Sequence, residues 1–358
     1  MGRKITVRLL ILLAGSVCAD AGIELWPVPQ PAPGQEPSVV QLMARARTAL
    51  EQGNLESARA DLESVLSREG AYKQARLALV EVLIRMARWA DAESEARILT
   101  DQFPEDTEPI YLLAQVALRR GDPAAANEFA RRCLVNGDNR PEIYKVLALA
   151  EYLLQRTEQF EAHIQVVLKK NPRDAEAEYL LARYLYESKQ YRQALAAFQK
   201  VLEIQPEHYR AHYYAGLVYQ MTNDMDRAQG EFLGAIRIIE NKHIRYAWPF
   251  ADLGRQLADA GESDAAIDWL LQGIHNDPAC PKAYYEYARA LFHKRPLPEI
   301  ERMLIEAVRL DPGYTDAYYL LARYYKKADK SLAAEQALAK FKDLKAHPVP
   351  SPYGLPRQ

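Results

Sequence analysis

The chain has 358 residues, with 46 Lys and Arg against 48 Asp and Glu and a net charge of −2 at pH 7. Such a mildly acidic balance excludes the broadly basic surface on which nucleic-acid binding depends. There is no Gly-rich phosphate loop, no Gly-x-Ser-x-Gly elbow, no His-Glu-x-x-His and no Cys-x-x-Cys, so the chemistry those motifs carry is excluded and no enzyme activity, metal or cofactor is expected.

Residues 1–21 read as a signal peptide. Arg3, Lys4 and Arg8 form a positive start, Leu9 to Val17 is a run of apolar and small residues, and Val17-Cys18-Ala19 or Ala19-Asp20-Ala21 offers a cleavage site. This run is too short to span a bilayer. The mature chain is therefore expected to be exported, periplasmic or secreted, without an integral membrane span. Losing the leader removes three basic residues and one acidic residue, which moves the charge to −4. Met1-Gly2-Arg3-Lys4-Ile5-Thr6 also fits the myristoylation pattern, but an apolar run directly behind a basic start is the export signature. Cys18 would be the acylated residue of a lipoprotein, yet the leucine and small residue wanted ahead of it are replaced by Gly15 and Val17. Residues 22–38 carry Pro27, Pro29, Pro31, Pro33 and Pro37 and read as an extended linker.

From residue 39 to 348 a 34-residue period governs the chain. Pro104, Pro172, Pro206, Pro278 and Pro312 mark it, with four extra residues between Pro206 and Pro278 as the one departure. Placing these prolines at position 32 gives nine units: 39–72, 73–106, 107–140, 141–174, 175–208, 209–242, 247–280, 281–314 and 315–348. Position 8 is Ala or Gly in all units but the second, where it is Val80, and position 20 is Ala except at Phe160 and Ile300. Position 24 is apolar throughout, from Leu62 to Leu338. Small residues at helical spacing let two helices approach while larger apolar ones fill the surrounding space. Gly53, Gly121, Asn223, Gly261 and Asp329 lie between the two small columns and suit the left-handed turn that ends a first helix. Each unit is thus a helical hairpin that must stack on its neighbours to bury its apolar face.

The pattern resembles the tetratricopeptide repeat family over roughly residues 39–348. Tyr179-Leu180-Leu181-Ala182 followed by Tyr191, Ala194, Phe198 and Pro206 carries the resemblance most closely, and Tyr318 to Ala322 with Ala334 and Leu338 repeats it. The resemblance implies an all-α, right-handed α-solenoid of about nine helix-turn-helix units. It also implies that positions 2, 5, 9 and 12 of each first helix face a concave groove. Position 5 holds Tyr111, Tyr179, Tyr213, Tyr285 and Tyr319, and position 9 holds Arg183, Arg255, Arg289 and Arg323, with Arg47 in the first unit. Tyr and Arg at i and i+4 share one helix face and are the residue types that dominate protein-binding hot spots. The competing reading is that these tyrosines pack against neighbouring helices and the arginines pair with nearby acids. Relatives that clamp a C-terminal carboxylate use Lys at 5 and Asn at 9, whereas the sole position 5 lysine, Lys145, is followed by Leu149. A protein or extended peptide with aromatic or acidic character is the expected partner, and nucleic acid is not.

The four extra residues fall in Asn241 to Phe250, where they either lengthen a second helix or form a loop, and their aromatic residues are a contact surface or a plug. Cys133 and Cys280 lie several hairpins apart and are expected to be isolated thiols, one of them in the core. His208 and His212 sit four apart but straddle a unit boundary, so they read as surface histidines rather than metal ligands. Residues 349–358 are a Pro-rich tail that cannot continue a helix. The function expected is that of a non-enzymatic interaction scaffold or adaptor of the cell envelope. The alternatives are a lipid-anchored structural component of an outer-membrane, pilus or secretion assembly, or an accessory module of a separately encoded envelope enzyme.

Overall fold

A computed structural model describes residues 36–292 and 298–349. The expected signal peptide, almost all of the linker, and the tail beyond Val349 lie outside the described residues. Within them the chain is all-helical, with eighteen helices in consecutive antiparallel pairs and no strand. It divides into two compact units, one ending at Pro172 and one beginning at Arg173.

The N-terminal unit contains α1 (Val39–Glu51), α2 (Leu55–Arg68), α3 (Lys73–Arg85), α4 (Trp89–Gln102), α5 (Thr107–Arg120), α6 (Pro123–Val135), α7 (Pro141–Leu153) and α8 (Thr157–Lys170). The C-terminal unit contains α9 (Ala175–Glu187), α10 (Tyr191–Ile204), α11 (Tyr209–Met221), α12 (Met225–Asn241), α13 (Trp248–Asp259), α14 (Ser263–Asn276), α15 (Pro281–Phe292), α16 (Pro298–Leu310), α17 (Thr315–Lys327) and α18 (Ser331–Ala346). In each unit a helix packs on its hairpin partner and on the helix that follows, and first helices also touch across hairpins, as α13 does with α15 and α15 with α17. This is the nearest-neighbour packing of a solenoid.

Local chemistry sets the helix ends. Ser38 begins α1 with a reciprocal capping box to Gln41, and Asn54, Asp106, Asp122, Asp174 and Asp224 each accept a backbone N–H in the first turn of their helices. At position 15 every described hairpin enters the left-handed region: Gly53, Ala87, Gly121, Gln155, Lys189, Asn223, Gly261 and Asp329 all have φ between +56° and +88°. That conformation frees the chain to reverse, with the following amide returning to the first helix, as Asp224 N–H does to the Tyr219 carbonyl at 2.9 Å.

The small column at position 8 has a direct steric cause. A Cβ placed on Gly216 would lie 2.5 Å from a ring carbon of Phe232, and one on Gly254 would lie 2.5 Å from Cγ of Leu270. Phe232 and Leu270 occupy position 24 of the same hairpins, so the large residue of one helix sits directly on the small residue of the other. Where position 20 departs from alanine, Phe160 and Ile300 are fully buried.

The four-residue insertion is absorbed in both of the ways expected. Helix α12 runs for 17 residues against 14 in α14, and a turn then leads to α13. Asn276 clasps that turn: its Nδ2 donates to the Ile244 carbonyl at 2.9 Å, and the Tyr246 amide donates to its Oδ1 at 2.9 Å. The Tyr246 ring packs edge-on against Tyr209 and Tyr213, while Pro249 and Phe250 are buried. The aromatic residues of the insertion therefore fill the joint rather than present a surface.

Two smaller expectations need correction. Both Cys133 and Cys280 are buried free thiols, not one of them, and burial pushes each thiol up to about 12. His208 and His212 are half-buried and engaged rather than free surface histidines. His208 caps α11, its Nδ1 accepting the Ala211 amide at 3.0 Å, and His212 bonds Glu231 at 2.6 Å. With these ring nitrogens committed to the Ala211 amide and to Glu231, the four-residue spacing does not make a metal-binding pair.

Candidate functional site

The candidate groove residues lie on first helices, but their surroundings differ sharply. Tyr111 on α5 is half-buried, with the Arg140 guanidinium 5.3 Å from its ring. In the C-terminal unit Tyr179 is 4% exposed and Tyr213 is 1% exposed. Tyr179 packs against Phe198, His208 and Tyr214, and Tyr213 against Tyr214, Phe232 and Tyr246. These two rings belong to the core, a correction to their placement as ligand-facing surface: aromatic residues of their own hairpins, of the next hairpin for Tyr179 and of the insertion for Tyr213 enclose them.

Three of the arginines are engaged by the protein's own carboxylates. Arg183 is 8% exposed; its Nη2 donates to Glu187 at 2.7 Å and its guanidinium lies 4.5 Å from the Tyr214 ring. Arg255 donates from Nη2 to Gln220 at 2.8 Å and to Asp252 at 3.2 Å. Arg289 donates from Nε to Glu286 at 2.6 Å, from Nη1 to Asp259 at 2.7 Å and from Nη2 to the Arg255 carbonyl at 3.4 Å. This chain of contacts links α11, α13 and α15. For these arginines the competing reading, pairing with nearby acids, is what the geometry shows.

The acids at the centre of this network went unnoticed in the sequence. Asp252 is fully buried; its Oδ2 accepts from Tyr213 at 3.0 Å, and its Oδ1 accepts from Lys282 at 2.7 Å and Arg255 at 3.2 Å. Glu286 stands at the same place in the next hairpin, where burial raises its pKa despite the opposing charges of Arg289 and Lys282. Their signal was legible: position 6 is apolar or aromatic in the other units but holds Asp252 and Glu286 in the seventh and eighth.

The end of the C-terminal unit differs. Tyr285 is half-buried with its ring 5.1 Å from that of Tyr314, and burial pushes its phenol up to about 12. Tyr319 is 46% exposed. Arg323 on α17 is exposed, its guanidinium 4.9 Å from the Phe292 ring and 5.9 Å from the Tyr319 ring, and Lys327 lies 4.4 Å from the same Phe292 ring. Among the described residues neither cation has a carboxylate within ion-pair distance. Arg323, Lys327 and the Tyr319 ring thus share one exposed face above the buried Phe292 ring, an arrangement suited to carboxylate and aromatic groups.

Models of the tetratricopeptide repeat match residues 49–116, 179–241 and 251–299, together about half of the chain. The chain belongs to the tetratricopeptide repeat family. A curated member, tetratricopeptide repeat protein 37 of Xenopus laevis, is 23% identical over 303 residues, covering 82% of this chain and 19% of that protein. The chain thus spans about a fifth of that relative's length. Among solved structures, the APC/C hetero-tetramer Cut9-Hcn1 aligns with a TM-score of 0.59 at 16% identity over 79% of this chain and 55% of that one. A tetratricopeptide repeat protein from Parabacteroides merdae ATCC 43184 aligns with a TM-score of 0.52 at 14% identity over 75% and 98%. At such identities these likenesses show the fold alone.

Tetratricopeptide repeats generally mediate protein–protein interaction and are typically non-catalytic scaffolds. Among the described residues of this repeat protein no group of three or more His, Cys, Asp or Glu is placed to hold a metal, and no helix is long and apolar enough to cross a membrane.

Proposed function

We propose that the protein is a non-enzymatic scaffold of the cell envelope that binds an extended segment of a protein partner along the first-helix face of its C-terminal repeats. One observation carries this reading: Arg323 and Lys327 lean on Phe292 beside exposed Tyr319, and among the described residues no acid lies within ion-pair distance of either. Equivalent arginines two and four helices earlier are committed to Glu286, Asp259 and Asp252. An exposed guanidinium and phenol offer hydrogen bonds and rigid contact area together, which is what a hot spot needs.

The test is a double substitution, Tyr319→Ala with Arg323→Ala, in the full chain. Crosslinking and capture from intact producing cells should lose the partner, with a cost of about 2–4 kcal/mol where affinity is measured, while helix content and melting stay close to the parent. Undiminished capture by the folded variant would refute the reading. The envelope location rests on Arg3, Lys4, Arg8 and the run Leu9 to Val17 ahead of Ala19 and Ala21. Mature protein is expected to begin near Asp20 or Gly22, and an intact Met1 terminus in the cytoplasm would refute export.

A further inference from the structure

Position 25 of each hairpin lies on the outer side of its second helix, one residue past the apolar position 24. In the first five hairpins it holds Glu63, Arg97, Arg131, Gln165 and Gln199, all exposed, as an outward position requires. In the last four it holds Leu233, Leu271, Ile305 and Ala339. Leu271 on α14 is 43% exposed and Ile305 on α16 is 47% exposed, and Ala339 on α18 is exposed as well. Ile305 also borders an open cleft of about 560 Å³, with Tyr284, Pro298 and Met303 beside it in the lining. The change from polar to apolar at one outward column, confined to consecutive second helices, marks a surface that another molecule covers.

Charge along the same hairpins says what covers it. The seventh hairpin (247–280) has six acidic residues and one basic, the ninth (315–348) has four acidic and seven basic, and the eighth between them is nearly balanced. On the second helices this polarity reaches the surface: Asp264 and Asp268 are exposed on α14, and Lys340, Lys342 and Lys345 are exposed on α18. A face that is acidic at one end, apolar in the middle and basic at the other is complementary to itself after a half-turn. The operation that sets α14 of one copy on α18 of another, and the reverse, is a two-fold axis running along α16. It brings Ile305 against its own counterpart. Arg302 and Arg309 approach their counterparts there too, but each carries its own carboxylate, Glu299 at 3.7 Å and Glu306 at 2.6 Å, so no bare like charges meet at the axis.

We propose that the second-helix face of α14, α16 and α18 is a homodimer interface, on which a second copy of the chain docks by a two-fold along α16. Leu271, Ile305 and Ala339 form its apolar centre, and Asp268 meets Lys340 at each end. Repeat positions 22 and 26 differ by one helical turn, about 6 Å along the axis, which a lysine side chain spans. Apolar contact at the centre with opposite charges at the rim is the usual anatomy of such an interface, and the charges fix its register. The first helices of each hairpin take no part in it. Two first-helix faces in one particle raise the avidity for any partner that carries the bound segment twice.

Sedimentation velocity of the full chain over a concentration series measures the association. The parent is expected to show a monomer–dimer equilibrium whose Kd rises with salt. Ile305→Asp, at a site already half open to water, should give a monomer with unchanged helix content and Tm. Asp268→Lys and Lys340→Asp should each weaken the dimer about tenfold, since either change turns attraction into repulsion at both ends. Made together they should restore it, because both copies then carry the reversed pair. A dimer that survives Ile305→Asp, or a double reversal that dissociates it further than either single one, overturns this interface. A parent still monomeric at about 100 µM, where even a micromolar Kd would be saturated, overturns the second copy as occupant. If Ile305→Asp then loses a crosslinked partner in intact cells, the face belongs to a different protein. Tyr319→Ala with Arg323→Ala should leave the dimer intact, so failure of this interface and failure of the first-helix reading are told apart.

Discussion

The Tyr213 hydroxyl donates to Oδ2 of Asp252 across 3.0 Å, joining α11 to α13 over the joint where the four extra residues enter. Lys282 and Arg255 occupy the other oxygen of the same buried carboxylate. A buried charge with three donors is stable only as a set. Asp252→Ala strands Lys282 and Arg255 and is expected to cost about 3–5 kcal/mol. Tyr213→Phe removes one bond to a charged group and should cost about 1.5–3 kcal/mol. Denaturant unfolding of both variants would check the order, and equal losses would show that the carboxylate is not the centre of the network.

Gly216 faces Phe232 so closely that even a methyl group cannot be added without movement. Gly216→Ala is expected to destabilise by about 1–3 kcal/mol through overpacking. Combining it with Phe232→Leu should recover much of that loss, because the smaller side chain vacates the contact. Additive losses in the double variant would mean that the two positions are not sterically coupled.

Ala87, Gln155 and Lys189 occupy the left-handed turn position with φ of 57°, 59° and 60°. A side chain there costs about 1–2 kcal/mol, against about 0.4–1 kcal/mol of extra chain entropy when glycine replaces it. Each substitution by Gly should therefore raise the denaturation midpoint modestly, and the triple variant more so. A lowered midpoint would show that these side chains make compensating contacts.

Burial pushes the His208 pKa down to about 4 from its ordinary 6.5, with Arg210 and His212 acting in the same direction. The sign follows from the depressed value: the contribution to stability is fully present above pH 6.5 and is lost as pH falls toward 4. Between pH 7 and pH 5 the loss is about 2 kcal/mol, an upper figure for a ring that keeps some contact with water. His208→Asn retains a capping acceptor without titrating, so the stability difference between parent and variant should shrink by that amount over this interval. His212, whose pKa is raised by Glu231 despite burial, stabilises at low pH instead and does not share this loss. A pH-independent difference would show that His208 is more accessible than its packing indicates.

The 34-residue period, the hairpins and their left-handed turns were legible because they depend on residues within one unit: a small residue at 8 opposite a large one at 24, and a reversal at 15. The groove was less legible because burial at position 5 is decided by residues about thirty positions or more further along the chain. Tyr179 is covered by His208 and Tyr214, and Tyr213 by Tyr246 from the insertion, whereas Tyr319 has no later hairpin over it among the described residues and is 46% exposed. The same letter in the same column thus names a core residue in one place and a surface residue in another. Arg183, Arg255 and Arg289 were likewise spoken for by Glu187, Asp252, Glu286 and Asp259, partners one turn away or on the neighbouring first helix.

The Asn276 clasp holds the irregular turn solely through the Ile244 carbonyl and the Tyr246 amide. Peptide groups are common to every residue that keeps its N–H, so the grip is blind to which side chains the turn carries. In evolutionary terms the burden of conservation moves off the loop and onto one amide side chain in a different helix. Arg245, whose one ion pair, to Asp277 at 3.7 Å, is on the surface, can change with little loss, while Asn276 cannot become even Asp, which would lose the donor to Ile244. Descendants of this chain should therefore vary most at the insertion's exposed letters and least at a residue thirty positions further on, where no feature of the loop itself would direct attention.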